Sequence, residues 1–259
     1  MGVGYGGSGV GYYTKLEESG WLRHVRLIMC ASVLAAEKLH LEGASVLVHC
    51  SDGWDRTGQV CSLTQLILDP YYRTLEGLAV LIEKDWCAFG YKFQDRCGHG
   101  MDYTHLPDER SPIFLQFLDT LLQLLHQFPD AFQFTPHLLL FLADHEHSSL
   151  FGTFLGNSMR HRMAELRVVD RTPSIWSYIM EHQRDRGFLN RTFRPHHGPV
   201  WPSCTMAKMV LWDRYFNRWS PEAHPHCLAT TQEGAVGTGE GAGASSGWHD
   251  DWGAGFETA

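Results

Sequence analysis

Hydrophobic side chains recur with a helical period along most of the chain. Leu22, Val25 and Met29 lie three or four residues apart, and this spacing predicts a helix over residues 19–40. Residues 194–203 interrupt the pattern with prolines and are predicted to form a loop. Similar spacing predicts helices over residues 57–68, 75–89, 112–127 and 135–147, and shorter ones within 148–165 and 173–182.

One short segment has a different pattern. Residues 45–48, Ser-Val-Leu-Val, follow Glu42-Gly43 and are predicted to form a buried strand that leads directly into the helix at 57–68. A buried strand followed by a helix implies a parallel sheet in an α/β fold. Because almost everything downstream is helical, the other strands would have to lie upstream. The sequence is therefore expected to be the C-terminal portion of a larger α/β domain, in which helices dominate.

The two ends of the chain differ in composition from its middle. Glycine dominates the beginning, and its conformational entropy opposes fixed structure, so residues 1–12 are predicted to be flexible. Residues 221–259 are rich in glycine and acidic side chains and contain neither Lys nor Arg, which is typical of a disordered tail. Residues 13–220 are expected to hold the folded domain.

Composition excludes several classes of protein. The chain of 259 residues has a formal net charge of −8, so no basic excess favours nucleic-acid binding. Its seven cysteines include no C-x-x-C pair, which argues against a zinc ribbon or a disulfide framework and favours a reducing, cytoplasmic compartment. The longest apolar run, residues 138–143, is far shorter than a membrane span, and the N-terminus lacks the features of a signal peptide.

Candidate chemistry lies between the predicted strand and its helix, in the sequence HCSDGWDRTG at 49–58. A tight loop at a helix N-terminus directs backbone N–H groups inward, where they can bind phosphoryl oxygens. The same groups stabilise a thiolate, so Cys50 is the predicted nucleophile. Arg56 can hold the phosphate with two parallel hydrogen bonds. Thr57 can donate its hydroxyl to the thiolate, and His49 can orient the loop.

Two carboxylates in the same loop are unusual for an anion site. A carboxylate that faces a phosphate dianion is repelled unless it carries a proton or turns away. One of the pair is therefore predicted to protonate the leaving oxygen, and Asp55, beside Arg56, is preferred over Asp52. The alternative for Asp55 is an outward charge that stabilises the helix N-terminus.

These residues resemble the signature of the myotubularin phosphoinositide phosphatases, a branch of the cysteine-dependent phosphatase superfamily. Further segments resemble the family as well, among them GWLRHVRLIM at 20–29, FGYKFQDRCGHG at 89–100 and LFGTFLGN at 150–157. The resemblance covers most of residues 13–220. It implies the fold of the protein tyrosine phosphatase superfamily, truncated here at its N-terminus.

The resemblance implies an activity and its residues. Active members remove the 3-phosphate from phosphatidylinositol 3-phosphate and from the 3,5-bisphosphate through a phosphocysteine intermediate. Cys50, Asp55 and Arg56 match the catalytic positions, and no cofactor or metal is expected. Without the family, Lys92 and Arg96 would be taken as two exposed cations one helical turn apart. The residues expected to bind substrate are Ser51, Asp52, Gly53, Trp54, Lys92 and Arg96.

The expected partner is a phosphoinositide headgroup at a membrane surface, with the protein peripheral on endosomal membranes and no nucleic acid bound. Oligomerisation with itself or with other myotubularins stays open. Two other functions also stay open. One is a phosphoprotein (tyrosine) phosphatase that shares Cys50 and Arg56, and the other is a non-catalytic scaffold or an inactive truncated fragment.

Two other groups of residues are predicted to have structural roles. His145 and His147 lie two positions apart on a predicted helix and point about 200° apart, so they cannot share one ion. The aromatic stripe formed by Trp212, Tyr215, Phe216 and Trp219 is typical of a core-facing helix. Four other cysteines are predicted to be packed structural thiols, namely Cys30, Cys61, Cys87 and Cys97.

Overall fold

Helices make up nearly all of the regular structure. The computed structural model describes residues 9–100 and 109–218. Short 3-10 turns occupy Pro70–Arg73, Gly152–Phe154 and Met206–Lys208, and π-helical turns occupy Glu83–Ala88 and His161–Glu165. The α-helices are α1 (Gly9–Glu18), α2 (Trp21–His40), α3 (Arg56–Leu68), α4 (Leu75–Ile82), α5 (Phe93–Cys97), α6 (Ile113–Gln127), α7 (Pro136–Ser148), α8 (Val168–Arg171), α9 (Ile175–His182) and α10 (Asp213–Phe216).

The long periodic segments form the helices that their patterns predict. The predictions over 57–68, 112–127 and 135–147 are confirmed by α3, α6 and α7. Helix α2 begins at Trp21 because Gly20 has a φ of 66°, a left-handed conformation that interrupts the helix. Asp69 and Pro70 end α3, and the chain continues as a 3-10 turn.

The short helix predicted over 173–182 is confirmed by α9, but other short elements depart from the predictions. The helix predicted over 75–89 ends at Ile82 and continues as a π-helical turn, while α5 follows it unpredicted. Only 3-10 and π-helical turns form within 148–165, because that segment is short and glycine-containing. Helix α1 begins inside the segment predicted to be flexible, and the Tyr12 hydroxyl fastens it to the backbone carbonyl of Phe216 at 2.9 Å. The predicted tail at 221–259 lies outside the described residues.

The predicted strand is the main correction. Residues 43–50 have no regular secondary structure, and Leu47 is 88% exposed and Val46 37% exposed. A strand buries its side chains and pairs its backbone only against neighbouring strands. Within 9–100 and 109–218 no such neighbour exists, and the sole β-pairing there is an isolated bridge between Phe134 and Leu189. The described residues are therefore helical, and they do not include the sheet of the expected α/β fold.

The core lies where α2, α3 and α6 meet. Trp86, on the π-helical turn, is fully buried, and its ring lies 4.9 Å from the rings of both Phe114 and Phe117 on α6. Such edge and tilted contacts add to the free energy of burying each ring. Gln59, also buried, donates from Nε2 to the Ile113 carbonyl at 2.8 Å. This bond fixes the first turn of α3 on α6, and thereby the position of the loop that precedes α3.

The aromatic stripe near residue 212 packs as predicted. Trp212 is 2% exposed, and Phe216 contacts Trp21 with the ring centroids 5.4 Å apart. Trp219 lies outside the described residues. None of the described helices is both long and apolar enough to cross a membrane.

Candidate active site

The loop between residues 50 and 55 brings several donors to one sulfur atom. The backbone N–H of Gly53 lies 3.1 Å from Cys50 Sγ, and the Thr57 hydroxyl donates to the same sulfur at 3.3 Å. Gly53 has a φ of 93°, which a residue with a Cβ rarely adopts, so the turn that aims this N–H requires glycine. Helix α3 begins at Arg56, so its N-terminal N–H groups face the same loop.

The electrostatics of the loop activate the thiol. Burial alone would raise the pKa of Cys50, but hydrogen bonds from the Thr57 hydroxyl and from the backbone of Gly53, Asp52 and Thr57 outweigh it and lower the pKa to about 7. By contrast, burial and the nearby Asp85 carboxylate raise the pKa of Cys61, which lies within α3. Cys50 is therefore the thiol that can supply a thiolate near neutral pH.

Arg56 reaches back across the loop. One of its terminal nitrogens donates to Ser51 Oγ at 3.1 Å, and the Ser51 hydroxyl donates to Asp52 Oδ2 at 3.0 Å. The Arg56 side chain is otherwise exposed, so its remaining donors face solvent beside the sulfur-bearing loop. This geometry suits an arginine that closes over a bound anion.

Asp55 is held by a residue 41 positions away. Arg96 donates from Nε to Asp55 Oδ1 at 3.1 Å and from a terminal nitrogen to Oδ2 at 2.6 Å. Its other terminal nitrogen donates to a Glu109 carboxylate oxygen at 2.8 Å, and these bonds raise the pKa of Arg96. Arg96 was expected to contact substrate, but here its donors are engaged by two carboxylates.

The Asp55 side chain does not act as a free charge at the helix N-terminus. It makes no side-chain cap to α3 and is only 19% exposed, because it turns towards Arg96. Its backbone carbonyl accepts from the N–H of Gln59 at 3.2 Å. The alternative of an outward, solvated carboxylate is therefore wrong for this structure.

The side chain of Lys92 contacts the ring of Trp54. Lys92 Nζ lies 4.5 Å from the centre of the Trp54 ring, in a cation–π contact, and 3.8 Å from Asp95 Oδ2. Asn157 holds the backbone and the carboxylate of Asp95, at 3.1 and 2.7 Å. These bonds fix α5, which carries Arg96, beside the loop.

Sequence reasoning missed three residues that position the site. Asp95 lies one turn from Lys92, so helical spacing could have indicated it. Glu109 and Asn157 are distant in sequence and carry no local signal. His49, expected to orient the loop, has an exposed side chain and no hydrogen bond in the described part of the chain.

The loop is suited to an anion. It offers backbone N–H groups, a hydroxyl and a guanidinium to its centre, and these donors bind phosphate oxygens. A thiol with a lowered pKa at the centre of such a loop can act as a nucleophile towards a bound anion.

Comparison with known proteins identifies the family. The model of the myotubularin-like phosphatase domain matches residues 7–163, which include the whole loop and α5. The chain belongs to this family.

Individual relatives support the same family assignment. The chain is 45% identical over 217 residues to the human phosphatidylinositol-3,5-bisphosphate 3-phosphatase MTMR6, covering 83% of this chain and 34% of that protein. It is 45% identical over 215 residues to MTMR8 of Gallus gallus, covering 83% and 33%, and 45% identical over 223 residues to MTMR2 of Pongo abelii, covering 82% and 34%. Both carry the same enzyme name. The chain thus spans about a third of the length of these relatives.

Proposed function

We propose that this chain carries the reaction centre of a phosphoinositide 3-phosphatase that acts on phosphatidylinositol 3-phosphate and 3,5-bisphosphate. The observation that carries the proposal is the donor set on Cys50 Sγ, which lowers its pKa to about 7. The substrate class follows the printed names of the relatives, which are 3-phosphatases of the 3,5-bisphosphate.

The proposed reaction has two steps. The Cys50 thiolate attacks phosphorus, the bond to the inositol oxygen breaks, and that oxygen takes a proton from the Asp55 carboxyl group. Water then attacks the phosphocysteine, the sulfur leaves as thiolate, and Asp55 accepts the proton from the water. Arg56 and the loop N–H groups stabilise the phosphoryl oxygens in both steps.

Asp55 must be protonated for the first step, whereas its paired contact with Arg96 is the geometry of an ionised carboxylate. We propose that substrate resolves this conflict. An inositol phosphate offers Arg96 a dianion in place of Asp55, so that Arg96 turns to the substrate and Asp55 is released to act as the acid. Lys92, on the preceding turn, would contact the same ring.

The fold proposed for this reaction centre is the α/β fold of the cysteine-dependent phosphatases. In that fold residues 45–48 pair with strands of a parallel sheet, which would cover the exposed Leu47. The proposed location is the cytoplasmic face of endosomal membranes, where the headgroup is presented. The six cysteines of the described residues are free thiols, which suits a reducing compartment.

Phosphate release from soluble phosphoinositides and from a phosphotyrosyl peptide tests the proposal. We expect turnover of the 3-phosphorylated lipids, loss of turnover in Cys50→Ser, and activity close to the parent in Cys61→Ser. Turnover of the peptide alone would favour a phosphoprotein phosphatase. Binding to vesicles that contain phosphatidylinositol 3-phosphate without any turnover would favour a non-catalytic scaffold.

A further inference from the structure

Three potential metal ligands converge where the end of α5 meets the end of α7. The sulfur of Cys97, a carboxylate oxygen of Glu146 and a ring nitrogen of His147 all lie within 4.8 Å of one another. Cys97 Sγ is 3.3 Å from Glu146 Oε1, and His147 Nδ1 is 4.0 Å from Oε2. Ligands placed 2.0–2.3 Å from a tetrahedral ion stand roughly 3.3–3.8 Å apart. The three side chains therefore need only small movements to share one ion.

The same place holds a buried polar group that lacks a partner. Glu146 is 1% exposed, and its Oε2 accepts no hydrogen bond within the described residues. A carboxylate oxygen buried in this way costs free energy unless a donor or a cation satisfies it. The thiol of Cys97, 6% exposed, donates to the other oxygen, so both groups point into the space between the helices.

The cluster is accessible from solvent. Cys97 and His147 line a cavity of about 530 Å³, and the His147 side chain is 54% exposed. Arg96 and Arg110 line the cavity as well. Asp55 and Glu109 offset the charge of Arg96, and Arg110 adds one positive charge. A thiolate and a carboxylate outweigh that charge, so the ionised cluster still attracts a divalent cation.

We propose that Cys97, Glu146 and His147 form a zinc site, with water from the cavity as the fourth ligand. Thiolate, imidazole and carboxylate are the ligands that zinc accepts together, whereas Mg²⁺ and Ca²⁺ require oxygen ligands. Binding of the ion displaces the thiol proton of Cys97 into solvent, and any proton on Glu146 with it. The bound ion would tie the end of α5 to α7.

The proposal agrees with the exclusion of His145. Its ring packs against Phe141 and Phe151, and its Nδ1 lies 2.9 Å from the Ser148 hydroxyl. It therefore faces away from His147, as helical geometry requires. The ligand that completes the cluster is a cysteine 49 positions earlier in the sequence.

Titration of the full chain with Co²⁺, followed by displacement with Zn²⁺, tests the site. We expect one equivalent of Co²⁺ to bind with a near-ultraviolet thiolate charge-transfer band. The band should vanish in Cys97→Ser. In His147→Ala the affinity should fall by at least about tenfold, and because His147 is exposed this variant should fold. His126→Ala, which removes an exposed histidine from α6, is the matched control and should bind like the parent.

The contrary results are distinct. A band that survives Cys97→Ser, or one that disappears in Cys50→Ser, would place the metal elsewhere and overturn the proposal. Absence of any band at millimolar Co²⁺ would mean that Cys97 and Glu146 form a thiol–carboxyl pair without a metal. Absence of the band would leave the phosphatase proposal intact, because no catalytic residue belongs to the cluster.

Discussion

Arg96 donates hydrogen bonds to both carboxylate oxygens of Asp55. These bonds couple the proposed general acid to α5, a helix outside the catalytic loop. Glu109 occupies the remaining edge of the same guanidinium. The side chains of Arg96 and Asp55 are only 12% and 19% exposed, so solvent screens the pair weakly. The pair therefore bears on both catalysis and stability, and the two effects can be measured separately.

Replacement of the acid gives the first prediction. Asp55→Asn should slow phosphoinositide hydrolysis by roughly 10²–10⁴, the range for one general acid, because asparagine cannot deliver a proton. The loss should be small with an aryl phosphate, whose leaving group departs without protonation. Comparison of kcat for both substrates measures the effect. An equal loss on both would assign Asp55 a structural role.

A double-mutant cycle measures what the pair contributes to stability. Arg96→Leu should lower the free energy of unfolding by about 1.5–3 kcal/mol, because hydrogen bonds to charged groups are lost and Asp55 is left unpaired. The same change made in an Asp55→Asn background should cost clearly less. Urea unfolding of the parent, the two single variants and the double variant gives the coupling free energy between Arg96 and Asp55. Equal costs in both backgrounds would show that the contact contributes nothing.

The pKa of Cys50 predicts how its reactivity depends on pH. The thiolate is the reactive form, so the rate of alkylation by iodoacetamide should rise with pH through a midpoint of about 7. Thr57→Val removes the hydroxyl that donates to the sulfur and should move the midpoint to higher pH. Mass spectrometry can follow Cys50 and Cys61 in the same sample, and Cys61 should react only at higher pH. A midpoint unchanged in Thr57→Val would mean that this hydrogen bond does not stabilise the thiolate.

Asp119 predicts a pH dependence of stability. Burial raises its pKa to about 6, although Trp21 and Gln123 donate to it at 2.6 and 2.8 Å. Its pKa in the unfolded chain is the ordinary 3.8, so the folded state binds more protons between these values. The contribution of Asp119 to stability is therefore greatest below pH 4 and is lost as pH rises towards 6, by about 3 kcal/mol.

Denaturant unfolding across this pH window checks the prediction against Asp119→Asn. Asparagine has only one acceptor for the two donors, so the variant should be less stable overall. The decisive readout is the slope, because the other carboxyl groups contribute equally to both proteins. The difference in unfolding free energy between parent and variant should shrink as pH rises from 4 to 6, and a constant difference would contradict it.

Periodicity sufficed to predict α3, α6 and α7, because their apolar side chains repeat at helical spacing over three or more turns. The contact of Thr57 with Cys50 was also predictable, since both residues flank one short loop. The partner of Asp55 was not, because Arg96 lies 41 residues away and its pairing depends on how α5 packs. The burial of residues 45–48 failed as a prediction for a related reason. A strand becomes buried only through its neighbours, which a local pattern does not reveal.

The exposed apolar side chains lead to a last prediction, on association. Leu27, Leu34 and Leu41 repeat every seven residues along one face of α2 and its end, and they are 48%, 55% and 68% exposed. Leu47 is 88% exposed on a segment whose backbone pairs with no strand in the described residues. Burial of one leucine stabilises an interface by about 1.5–3 kcal/mol, so the chain should self-associate as its concentration rises.

Sedimentation velocity over a range of concentrations measures this association. Leu34→Ser and Leu47→Ser should each shift the equilibrium towards the monomer, because each removes apolar surface from the contact. Val169→Ser is the matched control, since Val169 is 71% exposed on α8 and belongs to neither feature. If Leu34→Ser and Leu47→Ser associate as strongly as Val169→Ser and the parent, these leucines do not form the self-association interface. Monomeric behaviour of the parent at high concentration would show that their exposure does not drive association.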